Sequence, residues 1–246
     1  MIAIIIIIIL ILIIYLLLTV NITIIYNENF DNSSNKHDID YYVITLKSED
    51  RLQNINDQVS KYNIKLNIIE GIHWKTINQD ELLKNFVMGE NFYDKENPKR
   101  NKEIGCYQSH LKIYNKILNS DKPYSIIFED DFNVISTDMV NDINKILEKM
   151  KDIDFDVIFL GNTFPNAGEN YKDNIYKVDK NKMTVGCFGY LINNKNIGKI
   201  LNYTKTIDEA IDLKYNSLIK TDNLNAYTIN PYIINYKMEL PSVIRS

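Results

Sequence analysis

From Ile2 to Val20 every position is apolar except Tyr15 and Thr19, and beyond that run the hydrophobic positions break into short periodic segments divided by polar turns. At ~1.5 Å rise per residue the first run approaches the ~30 Å hydrocarbon thickness of a bilayer, which predicts a transmembrane anchor over residues 1–25. The basic start and Ala-x-Ala-like site of a cleaved signal are both missing, which favours an uncleaved anchor. Residues 26–40 are polar and rich in Asn, Asp and Ser, the composition of a flexible stalk. A globular head is then expected over 41–246, outside the cytoplasm or in a lumen, as a single-pass membrane protein.

Within the head, Tyr41 to Leu46 has the β-branched and aromatic content of a strand, and Leu52, Ile55, Val59 and Tyr62 recur at helical spacing after Ser48. Leu66 to Glu70 returns as a strand ending at Gly71, which completes a β-α-β unit. Between Trp74 and Arg100 the pattern is weak and broken by Gly89 and Pro98, predicting a long loop. A helix is expected from Glu103 through Ile104, Tyr107, Leu111, Tyr114 and Leu118, stopped by Lys122-Pro123. Strands at 125–128, 155–161, 175–178, 184–192 and 226–235 and helices at 139–150, 197–203 and 208–219 continue the alternation. The fold class is α/β, with a mostly parallel sheet flanked by helices.

The strand ending at Phe128 runs straight into Glu129-Asp130-Asp131. Ligands of open α/β sheets bind outside the carboxyl ends of strands, and three adjacent carboxylates repel one another unless a cation or water compensates them. Mg²⁺ or Mn²⁺ shared with a phosphorylated, nucleotide-linked substrate is one solution; a solvated acidic turn is the other. The net charge of -4, with Lys and Arg scattered among the acids, gives no dedicated nucleic-acid surface. Cys106 and Cys187 are the two cysteines, both in apolar settings and neither in a spacing that structural zinc requires. They read as buried thiols, with a disulfide open in an oxidising compartment. Three scattered histidines, His37, His73 and His110, hardly supply a phosphoesterase centre.

Four blocks in order, Ile44-Thr45-Leu46 with Arg51, Glu103 to His110, Ile126 to Asp131 and Gly186 to Leu191, resemble the family 25 glycosyltransferases. That group includes lipooligosaccharide (lipopolysaccharide biosynthesis) galactosyltransferases and procollagen galactosyltransferase domains. The resemblance covers Tyr41 to about Ile234 and implies a GT-A-like, Rossmann-type fold. It also implies a UDP-sugar donor, Mn²⁺ or Mg²⁺, and inverting transfer of a hexose, galactose or glucose, to a hydroxyl of a glycan or a hydroxylated protein. Its acidic element maps onto Glu129, Asp130 and Asp131, with Asp131 and Glu129 as metal ligands and Asp130 beside the reacting groups. Thr45, Leu46, Arg51, Ser109 and His110, together with Glu129 and Asp130, fall where the donor is held. Ile207-Asp208-Glu209-Ala210-Ile211 matches a late acidic block and makes Asp208 the expected base, with Glu209 and Asp212 as competitors. Thr45 departs from the Asn common in the family at that position. A descendant that keeps the fold as a binding or structural surface protein without chemistry is the alternative.

Overall fold

The computed structural model describes residues 37–77, 83, 87–89 and 97–240. Its spine is an eight-stranded sheet in the order β2-β1-β4-β9-β6-β11-β8-β7. In chain order these strands are β1 (Ile39–Thr45), β2 (Leu66–Glu70), β4 (Tyr124–Glu129), β6 (Val157–Phe159), β7 (Ala167–Lys172), β8 (Ile175–Val178), β9 (Gly189–Asn193) and β11 (Ala226–Ile229). Two short pairs stand apart: β3 (Val87–Met88) with β10 (Thr206–Ile207), and β5 (Phe132–Val134) with β12 (Ile234–Tyr236).

Among the described residues the α-helices that cover the sheet are α1 (Glu49–Tyr62), α2 (Pro98–Ile117), α3 (Met139–Met150), α4 (Ile197–Thr204) and α5 (Ile211–Lys220). Ile55 and Val59 of α1 and Ile143 and Leu147 of α3 share one core with Ile126 and Phe128 of β4. Ile104 and Tyr107 of α2, Ile200 of α4 and Tyr215 of α5 share the other with Ile127. The alternation Ile126, Ile127, Phe128 thus feeds two opposite layers, as the period of two in a strand requires. Each fully buried Ile or Phe contributes roughly 1.5–3 kcal/mol by leaving water.

The sheet departs from a uniform parallel one. β1 is parallel to β2 and β4, and β11 to β6, whereas β9 is antiparallel to both β4 and β6, and β8 to both β11 and β7. Apolar content buried on both faces reads the same in either direction, so the reversal of β9 leaves no mark in the sequence. Helix α2 begins at Pro98 rather than Glu103, because Asn97 caps it by accepting from the amides of Lys99 and Arg100, at 3.1 and 3.4 Å. Proline at the first helical position starts a helix as readily as it interrupts one. The expected strand over 184–192 forms only from Gly189, and the expected strand over 226–235 divides into β11 and β12 around a turn at Asn230-Pro231.

Among the described residues no helix is long and apolar enough to cross a membrane. Helix α2 has the length, at 20 residues, but carries Lys99, Arg100, Lys102, Glu103, Lys112 and Lys116. This finding corrects the expectation of a single-pass membrane protein with an extracytoplasmic head. The proposed anchor, residues 1–25, and the stalk as far as residue 36 lie outside the described residues. Asp38 and Asp40, expected in the stalk, belong to the fold: Asp38 pairs with Lys122 at 2.8 Å, and Asp40 accepts from the Ser120 hydroxyl at 2.7 Å.

Candidate active site

The carboxyl ends of β1 and β4 lie side by side, with Ile44 opposite Glu129. A cleft opens there, lined by Thr45, Leu46, Arg51, Ile72, Trp74, Lys102, Cys106 and Ser109 together with Glu129, Asp130 and Asp131. Helix α1 holds the far side of the acidic turn through a buried polar stripe. Asn54 donates to the carbonyls of Asp130 and Phe132 at 3.0 and 2.9 Å, Gln58 accepts from the Val134 amide at 3.1 Å, and Tyr62 donates to the Ser136 carbonyl at 2.6 Å. Backbone that leaves the sheet after β4 would otherwise bury unpaired amides and carbonyls.

Strand alternation separates the three acids. Glu129 follows the face of Ile127 and meets His110 of α2, whose Nε2 lies 3.3 Å from its Oε1. Asp130 turns the other way to Arg51, whose Nη1 is 2.8 Å from Asp130 Oδ1 and 3.4 Å from Asp131 Oδ2. The Thr45 hydroxyl and the Leu46 amide also favour the ionised form of Asp130. Burial raises the Asp130 carboxyl above its ordinary value, and Arg51, Thr45 and Leu46 partly restore it. Asp131 is pushed up to about 6, by burial first and then by Glu129, against the pull of Arg51.

Ser109 braces the cleft wall: it donates to the Gly105 carbonyl at 2.7 Å and accepts from the Ile72 amide at 2.8 Å. A Cβ on Gly105 would stand 2.6 Å from the Ile72 carbonyl oxygen, so only glycine lets the loop carrying Ile72 and Trp74 lie on α2. His110 is fully buried behind the cleft, its Nδ1 2.7 Å from the Tyr190 hydroxyl. The expected donor-site residues Thr45, Leu46, Arg51, Ser109, Glu129 and Asp130 therefore meet in one cleft, and His110 touches it through Glu129.

Asp208 stands elsewhere. It is gripped at both oxygens by Lys214, at 2.7 and 2.9 Å, and does not line the cleft. Asp212, the second residue of α5, is also outside the cleft lining but feels the charge of Glu129: burial raises its carboxyl and Glu129 adds to the rise, while the amides of Gly186 and Leu213 oppose it. Gly186 reaches Asp212 at 3.2 Å from a left-handed backbone, φ 91°. Both cysteines are free thiols, so no disulfide joins them.

Residues 38–215 match glycosyltransferase family 25, a group described as LPS biosynthesis proteins. The chain belongs to that family. Among relatives, it is 24% identical over 217 residues to procollagen galactosyltransferase 1-A of Xenopus laevis, covering 78% of this chain and 35% of that protein. It is 21% identical over 218 residues to human procollagen galactosyltransferase 2, covering 78% and 34%. The chain thus spans about a third of the length of these relatives. Among solved structures, Staphylococcus aureus TarS 1-349 in complex with UDP-GlcNAc superimposes with a TM-score of 0.46 at 8% identity, covering 85% of this chain and 61% of that one.

Proposed function

We propose that this family 25 chain is a metal-dependent glycosyltransferase that moves a hexose, galactose or glucose, from a UDP-sugar to a hydroxyl of a glycan or hydroxylated protein, with inversion. The observation that carries this reading is the convergence of Arg51, Glu129, Asp130 and Asp131 with an apolar wall of Leu46, Ile72 and Trp74 in one cleft at the ends of β1 and β4. The apolar wall suits a nucleobase and the charged floor a diphosphate.

The donor set fits a divalent cation. Asp131 Oδ1 is buried and has no hydrogen-bond partner among the described residues, and the charges of Glu129 and Asp130 beside it are only partly offset by Arg51. Bound at Asp131, with Glu129 within reach of a rotated side chain, Mn²⁺ or Mg²⁺ would neutralise charge on the departing diphosphate. Asp130, paired with Arg51 beside the end of β1, acts as a positioning residue that sets the place where the nucleotide docks. Inversion needs a carboxylate that takes the acceptor's proton as the sugar carbon is attacked, and Asp212 suits that role better than Asp208. Its desolvation makes it the stronger base, and the Gly186 amide fixes its orientation, whereas Asp208 is neutralised by Lys214.

A screen of UDP-hexoses with the full chain, followed by UDP release and by transfer to glycan and hydroxylysine-peptide acceptors, tests the reading. Turnover that needs Mn²⁺ and stops in EDTA is the expected result. Calorimetry that finds no UDP binding with or without metal would overturn it and leave a binding module on the same fold.

A further inference from the structure

Cys106 and His110 are four residues apart on α2 and present their ligand atoms to one face, the same i, i+4 device by which helical metal sites place two ligands. Glu129 completes a group whose Sγ, ring nitrogen and carboxylate oxygen all lie within 4.8 Å of one another. A tetrahedral ion with ligands at roughly 2.0–2.3 Å holds them about 3.5 Å apart, so modest rotation of Cys106 and Glu129 closes the set. The imidazole is already oriented, because His110 Nδ1 meets the Tyr190 hydroxyl at 2.7 Å. Tyr190 is itself held through Tyr114 at 2.9 Å, and Tyr114 through Tyr215 at 2.8 Å, all three rings being fully buried. A neutral imidazole that donates from Nδ1 to that chain turns the Nε2 lone pair toward the Glu129 oxygen 3.3 Å away. In that tautomer Nε2 is free to ligate a cation together with the Glu129 carboxylate; in the other, Nε2–H donates to Glu129, and binding displaces that hydrogen bond. Histidine metal ligands are characteristically fixed in this way, by a hydrogen bond from the other ring nitrogen.

We infer that Cys106, His110 and Glu129 form a second cation position in the cleft, selective for a thiophilic divalent ion of the Zn²⁺ class and distinct from the oxygen-lined position at Asp131. Thiolate and imidazole favour Zn²⁺ and Co²⁺ over Mg²⁺ and Mn²⁺. Cys106 and Glu129 line the cleft, so three protein ligands leave the fourth coordination position open to it. Burial and the surrounding carboxylates hold the Cys106 thiol protonated without metal; binding releases that proton to solvent, one for each ion bound. Because Glu129 is shared, a Zn²⁺ ion here draws it away from the position at Asp131. Zn²⁺ then inhibits the Mn²⁺-dependent reaction, a consequence that rests on the proposed function, whereas the binding itself does not.

The test is cobalt titration of the full chain, reading the near-ultraviolet thiolate-to-cobalt charge-transfer band and its displacement by Zn²⁺. One equivalent is expected to give the band in the wild type, in Cys187→Ser and in Asp131→Asn. Cys106→Ser abolishes it, His110→Gln abolishes it with the thiol still present, and Tyr190→Phe weakens Zn²⁺ affinity about 10- to 100-fold. Circular dichroism of each variant separates loss of a ligand from loss of the fold. No band in the wild type, or a band that survives Cys106→Ser, overturns the inference. A band with normal Zn²⁺ affinity in a chain without transferase turnover would refute the proposed function and leave the metal position standing.

Discussion

Replacing Asp131 by Asn should stabilise the metal-free protein while removing its metal-dependent activity. The Asp131 carboxyl rises from an ordinary 3.8 to about 6, because burial and the charges of Glu129 and Asp130 outweigh Arg51. A carboxyl that holds its proton more tightly when folded gives its full stability at low pH. That stability is lost as pH rises from the unfolded value near 4 through the folded value near 6. At about 1.36 kcal/mol for each pH unit between the two values, the ionised Asp131 costs up to about 3 kcal/mol at pH 7.5. The carboxamide that replaces it is uncharged and of nearly the same shape, so a gain of about 1–3 kcal/mol is expected, roughly 2–10 °C in melting temperature for a domain of this size. Urea unfolding in EDTA at pH 7.5 and at pH 4 reads the effect, and the gain should vanish at the lower pH. Mn²⁺-dependent turnover of the same variant should fall at least about 100-fold, since the ion supplies several kcal/mol to the leaving diphosphate. A variant less stable than wild type at pH 7.5, or one equally stabilised at both pH values, would refute the argument, because the cluster would then not be storing repulsion for a cation.

Three further outcomes follow from particular contacts. Asp212→Asn should lower kcat by about 10²–10⁴ while leaving UDP affinity unchanged, whereas Asp208→Asn, which only frees Lys214, should cost less than about tenfold; the reverse order would return the base to Asp208. Gly105→Ala forces a methyl to 2.6 Å from the Ile72 carbonyl and should destabilise by about 1–3 kcal/mol, raising KM for the donor as the loop bearing Trp74 is displaced; an unchanged melting temperature would count against that close approach. Tyr41 is pushed up to about 12 by burial, and its hydroxyl has no hydrogen-bond partner. It stays neutral while the unfolded chain ionises above pH 10, so its own share of the alkaline loss of stability, alongside Tyr42, Tyr107, Tyr114, Tyr190 and Tyr215, is up to about 3 kcal/mol between pH 10 and 12. Tyr41→Phe should make that fall shallower by up to about 3 kcal/mol, measured by urea unfolding, at no cost at pH 7, and an unchanged slope would refute the assignment.

Much of the fold was readable in the chain because its elements carry their own periodicity. Met139 to Met150 and Leu66 to Glu70 form over the same bounds that the apolar spacing predicts. Elements whose stability comes from partners were not readable. Ala167–Lys172 is polar and mostly exposed, with Gly168 inside it, and becomes β7 only because β8 offers an edge. The β5–β12 pair joins residues about a hundred positions apart, and no local pattern announces it.

The site divides along the same line. Thr45 and the acidic triplet could be found because each stands at the end of an apolar strand, where an α/β sheet gathers its ligands, and Arg51 because it opens the helix that follows the first strand. What each acid faces depends on a parity that resemblance does not display. One position along an extended chain turns Glu129 toward the thiol and imidazole of α2 and Asp130 toward the guanidinium of α1. Three consecutive acids that line one cleft therefore meet different partners, Glu129 facing His110 and Asp130 with Asp131 facing Arg51. Cys106, expected to be an inert buried thiol, matters because helical spacing sets it beside His110, and strand parity then delivers Glu129 to the pair. Asp212 is hidden for a related reason. An acid in the first turn of a helix is commonplace, and only the left-handed backbone at Gly186, which aims an amide at its carboxylate, sets it apart from Asp208 and Glu209.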